Sequence, residues 1–356
     1  MSGQEPAGGG EGLPWPAESA TGIGSMPGTD PVESLAVVLG ELPNLPFLPE
    51  LPARGPGADL IGRTAALLVD LPVETTATGW RLAERRGRDL GRATGLLESD
   101  LDAMEAAAAG YAGNFKIQVC GPWTLAASLG LTRSVEPALA DAGAVADLIA
   151  SLAEGTAAHV ADVGRRLPGA RLIVQLDEPA LPGVLAGSVP TASGLRRIPA
   201  VDVQDVEAGL GSVLTAAQAP AMIHCCAPGV PFGVLASAGA RAVSFDLGLL
   251  GRDEEDEIGE IAEAGLGLAV GAVPAARHED TLAVGNGRPP GAREAGETVI
   301  ALWRRIGLPP ARLTEQVVIT PACGLAGTSP QRARAVLARS QEAARLIPEL
   351  LEEGVR

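Results

Sequence analysis

Lysine occurs once in this chain of 356 residues, as Lys116, so arginine carries nearly all of the positive charge. That scarcity reads as a base-composition bias of the source, without functional content. Basic residues are in deficit altogether: 27 Lys and Arg face 43 Asp and Glu, for a formal net charge of −16. Binding along a nucleic-acid backbone needs clustered basic groups, so that class of partner is excluded. No apolar run reaches the roughly 18–20 residues of a membrane span. The opening Met1-Ser2-Gly3-Gln4-Glu5-Pro6 lacks the basic and apolar regions of a signal peptide. Four cysteines, two of them adjacent, do not make a disulfide framework. A reducing cytoplasm is the compartment they suit, where such residues are metal ligands or buried thiols. Phosphate loops of the Walker type and a Gly-x-Ser-x-Gly elbow are also missing.

What is present is an alternation. Residues 1–19 are rich in Gly, Pro and Glu without periodicity and read as a flexible tail. From residue 20 to 356, short β-prone runs alternate with longer stretches of Ala, Leu, Glu and Arg at helical spacing. Eight strands are predicted: Ala20–Met26, Asn44–Leu48, Phe115–Val119, Arg171–Leu176, Ala221–His224, Ala242–Phe245, Gly267–Val270 and Gln316–Thr320. Continuous apolar runs such as Leu172-Ile173-Val174 and Val317-Val318-Ile319 suit strands covered on both faces, as in parallel sheets. Helices are expected over Asp100–Ala109, Ala142–Arg166, Val203–Gln218, Glu254–Ala264, Ala292–Ile306 and Ser329–Glu353. The fold class is therefore α/β. The expected architecture is a single (β/α)8 TIM barrel over residues 20–356, with a doubly wound sheet as the alternative.

The predicted strands end in polar or special groups: Gly24-Ser25, Glu50, Cys120-Gly121-Pro122-Trp123, Asp177-Glu178-Pro179, His224-Cys225-Cys226, Asp246, Gly271 and Cys323-Gly324. Barrel enzymes carry their chemistry on that rim. In an extended strand His224 and Cys226 face one side and Cys225 the other. Zinc accepts imidazole, thiolate and carboxylate in a tetrahedron, so His224, Cys226, Asp246 and Cys323 form a candidate ligand set. Asp246 alternatively caps the following segment. Asp177 and Glu178 point to opposite sides, so one carboxylate is left to face the rim, where it can grip an ammonium ion or move a proton. Gly22-Ile23-Gly24-Ser25-Met26-Pro27-Gly28 is not a dinucleotide loop, because no apolar strand precedes it and Pro27 interrupts the turn. Its amides near Gly24 and Ser25 can still hold a carboxylate. Trp123 either lines the pocket or packs in the core, and His159 sits in a helical stretch as a surface or packing residue.

Together Ile23-Gly24-Ser25, Gly121-Pro122-x-Thr124, Gln175-x-Asp177-Glu178-Pro179-Ala180-Leu181, His224-x-Cys226 and Ala322-Cys323-Gly324-Leu325 resemble the catalytic, carboxyl-terminal barrel of cobalamin-independent methionine synthases. That family falls within the uroporphyrinogen-decarboxylase-like barrels, and the pieces follow its order over roughly residues 20–345. The resemblance implies that His224, Cys226 and Cys323 hold Zn2+. It further implies that Ile23, Gly24 and Ser25 take the carboxylate of homocysteine and that Asp177 takes its ammonium group. Glu50 matches a second such acid. Asp246 stands where the family has a glutamate ligand, and His278 lies near, though shifted from, a catalytic histidine after the seventh strand. The family's additional amino-terminal barrel has no counterpart here, which leaves methyltetrahydrofolate and a methyl-corrinoid both open as methyl donors. The implied activity is S-methylation of homocysteine to methionine. The alternatives are methylation of another small thiol from a corrinoid donor, and a non-catalytic zinc- or ligand-binding barrel.

Overall fold

The computed structural model describes residues 12–275 and 290–354. An antiparallel hairpin, β1 (Val73–Thr76) and β2 (Gly79–Leu82), precedes a six-stranded parallel sheet. The sheet runs in simple sequential order: β3 (Asn114–Cys120), β4 (Arg171–Asp177), β5 (Ala221–Cys225), β6 (Ala242–Asp246), β7 (Gly267–Val273) and β8 (Val317–Pro321). These are the last six predicted strands, each within three residues of the expected limits. Helices occupy Arg88–Ala107, Ala142–Arg166, Val203–Ala217, Arg252–Glu263, Ala292–Arg305 and Pro330–Glu353, beside several shorter ones. The first of these starts twelve residues ahead of expectation, because Gly91 and Gly95 dilute the helical signal of its amino-terminal half.

The first two predicted strands are not regular strands. Residues 20–26 and 44–50 pair at single positions: Ala20 with Ile319, Ser25 with Glu50 and Phe47 with Lys116, all parallel. Backbone bonds Thr21 N–H to Ile319 O (3.1 Å), Glu50 N–H to Gly24 O (3.0 Å) and Leu48 N–H to Lys116 O (2.9 Å) carry the chain from β8 to β3. Proline explains the irregularity, since Pro27, Pro43, Pro46 and Pro49 have no N–H to give to a ladder. Hairpin β1–β2 was not foreseen. Its two four-residue strands are too short to establish a period, and Gly79 at φ +124° makes the turn.

Each face of the sheet buries a separate core. The larger one lies between sheet and helices. The smaller gathers Leu45, Ile173, Met222, Ala242, Ala269 and Val318 around Trp15. Because side chains alternate along a strand, the residues two positions onward share this face. There the chemistry changes to Gln175, His224, Ser244 and Thr320, all buried. Two further on stand Asp177 and Asp246. An apolar floor thus lies under a polar rim.

Trp15 corrects the expectation of a flexible tail to residue 19. Its indole is 6% exposed, and Ser19 is fully buried. A Cβ at Gly267 would collide with the indole ring, so that glycine provides its space. Low hydropathy in residues 1–19 concealed a single large anchor. Replacing Trp15 with Ala removes the centre of the floor. It is expected to lower unfolding stability by about 3–5 kcal/mol, read from urea denaturation. A loss under about 1 kcal/mol would mean that the floor does not depend on it.

Candidate functional site

Two strand ends, those of β5 and β8, supply one set of sulfur and nitrogen donors, with β6 alongside. His224, fourth residue of β5 and 2% exposed, engages the Ser244 hydroxyl through Nδ1 at 2.9 Å. The two residues are register partners across β5 and β6. That contact orients the ring and leaves Nε2 buried without a hydrogen-bond partner. Cys226 follows β5, Cys323 follows β8, and their sulfurs lie 3.5 Å apart. Sharing a proton with the Cys226 thiol, and beside the His224 imidazole, Cys323 is held below the usual thiol range. Cys226 is pushed the other way by the same hydrogen bond and by burial. Cys225 faces the opposite core, where burial raises it to about 12, as its strand parity requires.

Among the described residues, no group of three or more His, Cys, Asp and Glu side chains is assembled to hold a metal ion. The donors nevertheless suit zinc. An imidazole nitrogen lacks a protein partner, and two sulfurs stand near the ~3.8 Å that tetrahedral geometry gives for Zn–S bonds of about 2.3 Å. Asp246, 4% exposed at the end of β6, shares the face of Ser244. Its Oδ1 accepts the Gly248 N–H at 2.8 Å and so caps the turn Leu247–Leu249. One carboxylate oxygen therefore already performs the capping role that the sequence offered as the alternative.

Asp177 ends β4 directly opposite His224 in the β4–β5 register. It is 5% exposed, and its Oδ1 accepts Gln175 Nε2–H at 2.7 Å. Burial raises its pKa, against the nearby His224 and Lys116. Glu50 is 4% exposed, with its carboxylate 3.9 Å from Arg63 Nε. Burial lifts it to about 7 despite that arginine. Ile23, Gly24 and Ser25 run between these groups and the Cys323 loop. Gly24 O accepts from Glu50 N–H, and Ser25 O accepts from Leu325 N–H at 2.8 Å. A Cβ at Gly324 would strike the Ser25 hydroxyl, so the small residue after Cys323 lets the two loops meet.

Glu178 and Trp123 belong elsewhere. The Glu178 carboxylate accepts the Trp123 N–H (2.9 Å), the Thr124 N–H (2.7 Å) and the Thr124 hydroxyl (2.7 Å), capping helix Pro122–Ser128. A Cβ at Gly121 would clash with that carboxylate. Gly121, Thr124 and Glu178, which the sequence shows as two separate motifs, are thus one buried lock. Trp123 turns away from the rim: its indole N–H donates to Val206 O at 3.1 Å and its ring fills the space over Gly209. Of its two expected placements, the core one is observed. His159 is a packing residue, 5% exposed. His278 lies outside the described residues.

Sequence reasoning missed Lys116, Gln118, Ser244 and Arg63. A signal for the first two was present: Phe115-Lys116-Ile117-Gln118-Val119 alternates apolar and polar residues within a strand that is buried throughout. That pattern marks a polar face inside the protein.

No protein-family model matches the chain, and no curated protein does. Its fold is similar to that of a B12-independent methionine synthase from Shewanella sp. W3-18-1, solved in complex with selenomethionine. The match has a TM-score of 0.59, 12% identity, and covers 95% of this chain and 99% of that one. At that identity the likeness is one of fold: an α/β protein with a parallel sheet of TIM-like kind. No helix among the described residues is long and apolar enough to cross a membrane.

Burial raises both Glu50 and Glu178 from an ordinary 4.5 to about 7. The folded state therefore holds more protons than the unfolded chain between these values. The stabilisation is complete below about 4.5 and is lost as the pH rises through about 7. Glu178→Gln removes one of the two titrations. Its stability between pH 4.5 and 7 should therefore fall less steeply with pH than that of the wild type in parallel urea melts. Parallel curves would contradict the assignment. Glu178→Ala, which strips the acceptor from three buried donors, is expected to cost about 3 kcal/mol or more.

Proposed function

We propose that this chain is a zinc-dependent methyltransferase that places a methyl group on the sulfur of homocysteine, forming methionine. The observation that carries this reading is one cluster: an unpartnered buried imidazole nitrogen, two thiols 3.5 Å apart, and a buried carboxylate in register beside the histidine. In this reading the bridged segments 20–26 and 44–50 are the first two staves of a (β/α)8 barrel, and residues 20–356 form one catalytic domain. The likeness of fold to a methionine synthase that binds selenomethionine supports it.

His224, Cys226 and Cys323 would hold the metal, with Asp246 as the fourth ligand. Because Asp246 also caps its own turn, it would be the ligand least exclusively committed to the metal. Bound there, zinc supplies a substrate sulfur kept deprotonated and nucleophilic at neutral pH, where a free thiol is mostly protonated.

The remaining residues do the positioning. Asp177 receives the substrate ammonium, and Glu50 adds a second acid at the same side. The amides of Ile23, Gly24 and Ser25 take its carboxylate. Fixing both ends of the amino acid aims its sulfur at the metal ligands and converts a collision into an oriented reaction. Trp123 is left out of this grip, since its indole is committed to Val206. With a methyltetrahydrofolate donor the departing nitrogen needs a proton. Glu178 is committed to three donors, so His278 is the group proposed for that step. A methyl-corrinoid donor requires no such acid.

His224→Ala, Cys226→Ser and Cys323→Ser are each expected to lose bound zinc, measured by elemental analysis. Each should also lower homocysteine methylation by roughly 100-fold or more with either donor. Asp177→Asn should keep zinc and raise KM for homocysteine about tenfold. Unchanged turnover in all three ligand variants would overturn the reading.

A further inference from the structure

The chain's single lysine lies under the rim, fully buried. Lys116 Nζ donates to the Ile23 carbonyl at 2.9 Å and to Gln118 Oε1 at 3.3 Å, and it stands 5.3 Å from the centre of the Phe47 ring. A buried ammonium is costly unless its surroundings compensate it, and an apolar residue would suit the packing of this strand better. Its placement therefore asks for a reason.

The reason is in the backbone above it. Residues 20–26 pair with neighbours only at Ala20 and Ser25, so the segment between has little sheet ladder to hold it. Side chains from below take the place of the ladder. Ile23 O accepts from Lys116 and also from Gln175 Nε2 at 2.8 Å, and the same Gln175 amide holds Asp177 Oδ1 at 2.7 Å. Gln118 presses against Gly24, where an added Cβ would lie 3.0 Å from its side chain, and donates to Leu48 O at 2.6 Å. One carbonyl oxygen thus joins Lys116, Gln175 and, through Gln175, Asp177.

We propose that Lys116 is a positioning residue for the substrate amino acid. By holding the Ile23 carbonyl, it fixes the Gly24–Ser25 amides at a set distance from Asp177, so that carboxylate and ammonium are gripped together. This rests on the reading of the site as an amino-acid grip. Lys116 itself touches neither substrate nor metal ligands, so it governs binding and leaves the chemical step alone.

The test is Lys116→Met, which keeps length and loses the donor. KM for homocysteine should rise about tenfold or more, with kcat within about threefold of the wild type. Hydrogen–deuterium exchange should accelerate at residues 20–26 and stay unchanged in β5 and β8. An unchanged KM, or a fall in kcat alone, would overturn the proposal. If the variant does not fold, the wild type still decides. Lysine labelled with 13C gives one side-chain signal, which must move when methionine binds. A stationary signal alongside calorimetric binding of methionine overturns the proposal. If wild type binds neither homocysteine nor methionine, the methyltransferase reading fails on its own account. Exchange at residues 20–26 in Lys116→Met then tests the pin separately, and unchanged exchange there overturns it.

Discussion

The site depends on the register of parallel strands β4, β5 and β6. Asp177 stands opposite His224, and His224 opposite Ser244. A slip of one residue would turn each of these side chains to the other face, exchanging them for Leu176, Ile223 and Val243. The register is itself secured by what lies below. Ile173, Met222, Ala242, Ala269 and Val318 close around Trp15, and only one alignment of the strands puts all of them on the floor. Hydrophobic burial thereby fixes where polar groups emerge, four residues further along each strand or fewer.

Polar groups so placed carry an electrostatic cost, and the structure distributes it. Asp177, Glu50 and Glu178 are all buried and all pushed toward the neutral form. Each is met differently. Glu178 has three hydrogen-bond donors and ends as a helix cap. Glu50 has Arg63, which is also paired with Asp100. Asp177 has Gln175, with the Lys116 charge beyond. Asp177, beside His224, has one close donor in Gln175, and Glu50 has its arginine 3.9 Å away, so both keep acceptor capacity that Glu178 has already used. The adjacent acids Asp177 and Glu178 thus separate by strand parity, one to the rim beside His224 and the other to a helix cap.

Much of this was legible in the sequence. Long helices and doubly buried strands announce themselves by period and apolar continuity, and the His224-x-Cys226 spacing dictates a shared face. Apolar content predicts full strands at residues 20–26 and 44–48, whereas the prolines in and beside them leave isolated bridges. Trp15 escaped notice because one anchor does not raise the hydropathy of a polar stretch. The lock of Gly121, Thr124 and Glu178 joins residues more than fifty positions apart, and nothing local links them. Trp123 sits next to the rim in sequence, but the first turn of its helix rotates it outward onto Val206. Lys116 was read as compositional accident, yet its strand shows a polar alternation that has no place in a purely apolar core.

In the proposed reading, His224, Cys226 and Cys323 present a metal to a substrate thiol. The most direct measurement is the visible spectrum of the cobalt-substituted protein during titration with homocysteine. Sulfur–cobalt charge-transfer absorption should be present at the outset from the two cysteines and should change, saturably, as a further sulfur joins the metal. A cobalt spectrum that homocysteine leaves unchanged, or a protein that takes up neither cobalt nor zinc, would contradict the account.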